Sequence, residues 1–103
     1  MTHDGHTIES AEGSVRITGE ALAGLVVAAA EQVGGAKVRR PRRDLNVVVK
    51  DGRAHVKLTL AARFGAVLPA LGEAVQRAVA SAVGDATGLE VVGVDVAIEE
   101  LDR

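Results

Sequence analysis

Among the side chains able to do chemistry, His55 comes first. It sits between Ala54 and Val56 in an alternating stretch and is the one histidine outside the N-terminal segment. An imidazole suits general-base work, but that work needs a nucleophile and an orienting carboxylate within hydrogen-bond reach. No Ser or Asp stands at a recognisable spacing from it, so it reads as an exposed strand histidine beside Arg53 and Lys57. His3 and His6 have an i, i+3 spacing that a metal could use, yet they lie on a terminus without fixed partners. The carboxylates Glu73, Asp85, Asp95 and Glu99 fit solvated faces and share no motif for glycoside or phosphoryl chemistry. Neither a phosphate-binding P-loop nor a GxGxxG fingerprint occurs. With no Cys, disulfides, thiolate chemistry and Cys-based zinc sites are excluded. The expectation is no enzyme, with no catalytic, metal or cofactor-binding residues and no small-molecule substrate.

What remains is electrostatic. The formal net charge is -2 over 103 residues, and it conceals segregation. From Lys37 to Arg63 nine cations face two acids, Asp44 and Asp51, for a net +7. The rest of the chain holds three cations and twelve acids, for a net -9. Such a chain can attract an anionic partner or a copy of itself. The candidate interaction surface is Arg39, Arg40, Arg42, Arg43, Lys50, Arg53, Lys57 and Arg63. Its candidate acidic counterpart is Asp95, Glu99, Glu100 and Asp102, on a neighbouring subunit or mimicked by a partner's acidic segment. RNA or anionic lipid is the alternative ligand of the same surface. The helix–hairpin–helix–strand order resembles KH-type RNA-binding domains, but their GXXG loop is absent and Phe64 is the single aromatic. Nucleic acid is therefore the lesser reading.

The elements that must position these charges are legible from periodicity. Residues 1–13 are polar and acidic without a repeat, and read as a flexible tail. Val15 and Ile17 suggest a short strand, and Thr18 a helix N-cap with Glu20 in the first turn. Leu22, Leu25, Val26, Ala29, Ala30 and Val33 mark one helix face, which Gly34-Gly35 ends. Ala36-Lys37-Val38 suits a short strand, and Pro41 keeps the arginine run in a loop or at an edge. Asp51-Gly52 predicts a type I′ hairpin pairing Val49 with Ala54, Val47 with Val56 and Leu45 with Leu58. That register puts all six on one face, and Asn46, Val48, Lys50, Arg53, His55, Lys57, Thr59 and Arg63 on the other. Pro69 opens a second helix with an expected buried stripe of Leu68, Leu71, Val75, Val79, Ala82 and Ala86, and Gly88 caps it. Val92, Val94, Val96 and Ile98 alternate as a last strand. Leu89 and Val91 are out of phase with them, so a bulge is expected near Val91-Val92.

These elements predict an α+β fold, with two helices on one face of a small mixed sheet containing a central hairpin. The crossover through the second helix makes the long strands parallel. One domain spans residues 14–103. The chain is 48% apolar with one aromatic residue, so Ala, Val and Leu must fill the core. The N-terminus lacks signal-peptide character, and the longest apolar run, Ala21 to Ala30, is far short of the ~20 residues a membrane span needs. A soluble, cytoplasmic protein is expected.

Order and spacing together resemble the alkaline shock protein family, the bacterial cell-envelope stress response proteins. The resemblance spans roughly Gly13 to Leu101. It rests on Gly13-Ser14-Val15-Arg16-Ile17, on Ala28 to Val33 before Gly34-Gly35, and on Asp51-Gly52. It continues through Arg63-Phe64-Gly65, Leu68-Pro69, Val75-Gln76, Val79, Val83, Thr87-Gly88-Leu89 and Val91 to Val96. The chain departs where Ala36 replaces a usual Val, where Phe64 replaces a common Tyr, and in its Arg39–Arg43 run. The resemblance implies a non-enzymatic cytoplasmic protein of envelope homeostasis. It implies a homo-oligomer, or a protein held at the inner face of the membrane by a small membrane-anchored partner, and it supplies no catalytic residues.

Overall fold

The computed structural model describes residues 4–63 and 65–101, so His3, Phe64 and Asp102 lie outside the described residues. Eight elements follow one another: β1 (His6–Ser10), β2 (Gly13–Ile17), α1 (Gly19–Glu31), β3 (Ala36–Val38), β4 (Asn46–Lys50), β5 (Arg53–Arg63), α2 (Leu68–Thr87) and β6 (Glu90–Leu101). The expected α+β architecture holds, with both helices against one face of a mixed sheet. Its axis is β5. β6 runs parallel along one edge of β5, from Arg53↔Glu90 to Arg63↔Leu101. The other edge is divided: β4 pairs antiparallel with Arg53 to Lys57, and β3 with Leu60 to Ala62.

Local chemistry sets each junction. Asp51 (φ 54) and Gly52 (φ 74) both take the positive φ that a type I′ turn demands. The predicted pairs Val49↔Ala54 and Val47↔Val56 follow. Thr18 Oγ1 accepts a hydrogen bond from the Ala21 N–H at 3.1 Å and so caps α1. Gly88, at φ 76, ends α2 in the left-handed region.

The core is the set of small aliphatic residues that the composition requires. Leu22 and Val26 from α1, Val75, Val79 and Val83 from α2, and Val47, Val56, Leu58 and Leu60 from the sheet have no exposed area. Each such side chain contributes roughly 1.5–3 kcal/mol over its exposed state. On α2 the buried stripe steps by four through Leu71, Val75, Val79, Val83 and Thr87. Val83 and Thr87 are buried at the end of the stripe, while the expected Ala82 is half-buried against the core and Ala86 is exposed. The expected set keeps the 3.6-residue helical period, whereas the observed stripe steps by four and winds slowly round the helix, and small alanines mark the buried side poorly.

The structure differs from expectation at the N-terminus. Inside the segment read as a tail, His6–Ser10 form a strand paired with Gly13–Ile17, from His6↔Ile17 to Ser10↔Gly13. This hairpin forms a sheet of its own and stands off the body, giving principal extents of 53 × 23 × 19 Å. Its base is tied at Asp4, whose N–H donates to Val47 O (3.0 Å) and whose carboxylate accepts from the Val49 N–H (3.2 Å). Asp4 thereby closes the outer edge of β4. A single large apolar residue, Ile8, among polar neighbours hid β1, because its pairing is set by the partner strand.

Candidate interaction face

Paired residues in neighbouring strands share a face, so the registers define the uncovered side of the sheet. β4 contributes Asn46, Val48 and Lys50, and β5 contributes Arg53, His55, Lys57, Thr59 and Arg63. β6 contributes Glu90, Asp95, Ala97 and Glu99, beside Arg53, Lys57, Thr59 and Ala61. Among the described residues no helix covers this side. It carries a cationic row on β4–β5 next to an acidic row on β6.

A bulge makes the acidic row possible. Ala54 pairs with Val91 and His55 with Gly93, so Val92 is the extra residue. The slip turns Val94, Val96 and Ile98 toward the core and Asp95 and Glu99 toward the open face. It also corrects one expectation. Val92 does not join the apolar set; it is 53% exposed, and Val91 takes the inward position beside Ala54.

Of the expected interaction residues, the structure separates two groups. Arg39 and Arg40 are engaged within the chain. Arg40 Nη2 meets Glu99 Oε2 at 2.8 Å and its Nε meets Asp44, while Arg39 lies 3.6 Å from Glu99. The Glu99 hydrogen bond, then that of Asp44, raises the Arg40 pKa above its ordinary value. Two acids, Asp44 and Glu99, thus hold the first turn of the arginine run, and Arg40 takes a positive φ of 43°. Arg53 lies 3.6 Å from Glu90 with both side chains largely exposed. Among the described residues, Arg42, Arg43, Lys50, Lys57 and Arg63 form no ion pair.

The expected acidic counterpart also has contacts inside the chain. Glu99 holds the two arginines, and Glu100 Oε2 accepts the Gly65 N–H at 3.1 Å. Asp95 Oδ2 lies 2.9 Å from His55 Nε2. That His–Asp pair was not legible from spacing, since forty residues separate its members; only the parallel register could have revealed it. Both side chains are about half exposed or more. No nucleophile completes the pair among the residues described around it.

Two shallow depressions mark the face. One, of about 350 Å³, is lined by Val48, Lys50, Asp51, Arg53, His55 and Val92. The other, of about 330 Å³, lies between Arg43, Asp44 and Asn46 on one side and Lys57, Asp95 and Ala97 on the other. Among the described residues no cluster of three or more His, Asp or Glu could hold a metal ion. No helix there is long and apolar enough to cross a membrane.

Solved structures of MamM CTD variants share this fold. One superposes with a TM-score of 0.58 at 20% identity, covering 81% of this chain and 96% of its own. A cadmium form gives 0.57 at 21% identity, covering 81% and 96%. A nickel form gives 0.57 at 19%, covering 81% and 99%. At such identity the likeness concerns the fold. No curated protein matches the chain. The family match, in contrast, extends from residue 7 to residue 103, over both helices, the whole sheet and its charged face: the chain belongs to the alkaline shock protein 23 family, of cell envelope-related function.

Proposed function

We propose that this protein is a non-enzymatic interaction module of the cell-envelope response that self-associates through its open sheet face. The observation that supports this is the pairing of a cationic row, Lys50, Arg53 and Lys57, with a parallel acidic row, Glu90, Asp95 and Glu99. A two-fold axis parallel to the strands exchanges left and right when two faces meet. It lays the cationic row of each copy over the acidic row of the other. Contacts between exposed charges contribute about 0.2–1 kcal/mol each, so they set register and encounter more than they hold. The in-chain contacts of Asp95 and Glu99 leave their side chains 65% and 46% exposed, with lone pairs to spare. The same cationic row suits an acidic segment of a small membrane-anchored partner, which would station a cytoplasmic protein at the inner face of the membrane.

Sedimentation between about 50 mM and about 1 M salt tests the proposal, because screening lengths fall several-fold over that range. The expected result is a mass that falls as salt rises. An unchanged mass, or normal assembly of an Arg53→Glu, Lys57→Glu double variant, overturns it. Tight binding of RNA or anionic vesicles by the monomer, with a steep salt slope, favours the alternative instead.

A further inference from the structure

Among the described residues, four large apolar side chains are exposed: Val15 (60%), Val48 (49%), Val67 (72%) and Val92 (53%). Two of them share one place. Val48 pairs across β4–β5 with His55, and His55 pairs with Gly93 directly after the bulged Val92. Val48 and Val92 thus flank His55 in the depression that Lys50 and Arg53 border. The third, Val15, is on the projecting hairpin. Its register puts Ile8, Val15 and Ile17 on one side and Thr7, Glu9, Ser14 and Arg16 on the other. The hairpin is therefore amphipathic, with an apolar side that the body covers only near Ile17. A two-stranded hairpin is marginal in water without such cover.

We propose that the β1–β2 arm of one copy packs its Ile8/Val15 side over the Val48–His55–Val92 row of a second copy. The occupant is argued from three matches. The arm presents an unburied apolar strip, and the row presents two exposed valines. Glu12, in the turn of the arm, is acidic, and Lys50 and Arg53 beside the row are basic. With each β5 over the partner's β6, the two-fold described above carries the partner's β4 just beyond the outer edge of β6. The arm is tied to the outer edge of β4 through Asp4, so its base arrives on the side of Val92. This inference rests on the open-face association and adds the segment that clasps it.

The chain has no cysteine, so introduced thiols are unique. Val15→Cys and Val92→Cys variants, purified separately, are mixed and treated with a short bismaleimide. A covalent dimer is expected from this mixture, and little from Val15→Cys mixed with Val67→Cys. Val15→Asp should weaken association about tenfold in sedimentation with an unchanged circular dichroism spectrum, since Val15 is outside the core; Val67→Asp should leave association as it is. Association without a Val15–Val92 cross-link, or equal cross-linking to Val67, overturns the arm and spares the open-face reading. A cross-link formed within single chains of the Val15→Cys, Val92→Cys double variant at high dilution overturns the second copy as occupant. A monomer under all conditions removes both.

Discussion

The His55 ring lies directly against Gly93: a methyl group at Gly93 would stand 2.8 Å from His55 Cε1 and 3.1 Å from Nδ1. The two residues are register partners across the parallel β5–β6 pair. Gly93 thus supplies the space in which the imidazole reaches across β6 to Asp95. The bulge at Val92 and this glycine together aim His55 at a carboxylate rather than outward.

Gly93→Ala is therefore expected to push the ring off its rotamer and break the contact with Asp95. The cost is about 0.5–1.5 kcal/mol, the range for a forced side-chain torsion. In a His55→Ala background the same change should cost less, because nothing remains to collide. A double-mutant cycle in urea measures the coupling. Equal costs in both backgrounds would show that Gly93 serves the strand and not the ring.

The turn that sets the sheet gives a second expectation. Gly52 has φ 74, and its carbonyl accepts the Glu90 N–H at 3.0 Å, tying the hairpin tip to the start of β6. Gly52→Ala should lower stability by roughly 1–2 kcal/mol, the penalty of an L-residue in the left-handed region. Asp51→Gly should be tolerated, since it relieves the same strain one residue earlier. Chemical denaturation of both variants checks the contrast, and a neutral Gly52→Ala would argue for a different turn.

That hairpin was legible in the sequence because turn chemistry and two alternating strands agreed on one register. The bulge was legible for a related reason, as Leu89 and Val91 clashed in phase with Val94, Val96 and Ile98. Contacts between distant segments were not legible. Nothing in the spacing of Arg40 and Glu99 announces an ion pair, so the sequence placed the arginine run in a loop or at an edge without its acidic anchors. His55 and Asp95 meet only through the parallel β5–β6 register, in which one bulged residue decides which side chains are neighbours. The strand at His6–Ser10 went unread because its alternation is weak and its order comes from pairing with Gly13–Ile17. Of the charged face, the cationic half was visible on β4–β5; that its acidic complement lies in the adjacent row of the same sheet required the register of β6.

The end of α2 supplies a third prediction. Thr87 is 5% exposed, and its hydroxyl donates to Val83 O at 2.6 Å while accepting the Leu89 N–H at 3.1 Å. It satisfies a late helix carbonyl and an amide of the chain turning into β6 at once. Thr87→Val keeps the shape and strands the buried Leu89 N–H, at a cost of about 1–3 kcal/mol. Thr87→Ser retains both bonds and should lose less. If thermal or urea denaturation ranks Val above Ser, the hydroxyl is not what closes this helix.

The open face yields the most discriminating test, through exchange of charge between copies. In the two-fold arrangement Lys57 of one copy lies over the row containing the partner's Asp95. Lys57→Glu makes two contacts repulsive in its own homodimer, and Asp95→Lys does the same in its own. Each homodimer should weaken about tenfold, since two altered contacts of ~0.7 kcal/mol amount to ~1.4 kcal/mol. Mixing the two variants restores attraction at both positions: the two reversed charges meet at one contact, and the unaltered Asp95 and Lys57 meet at the other. Native-like association of the mixture, with weak association of each variant by itself, is the expected outcome in sedimentation at low salt. A nonspecific polyanion site behaves differently: Lys57→Glu would weaken it, Asp95→Lys would strengthen it, and mixing would restore nothing. The mixture therefore separates a self-complementary face from a merely basic one.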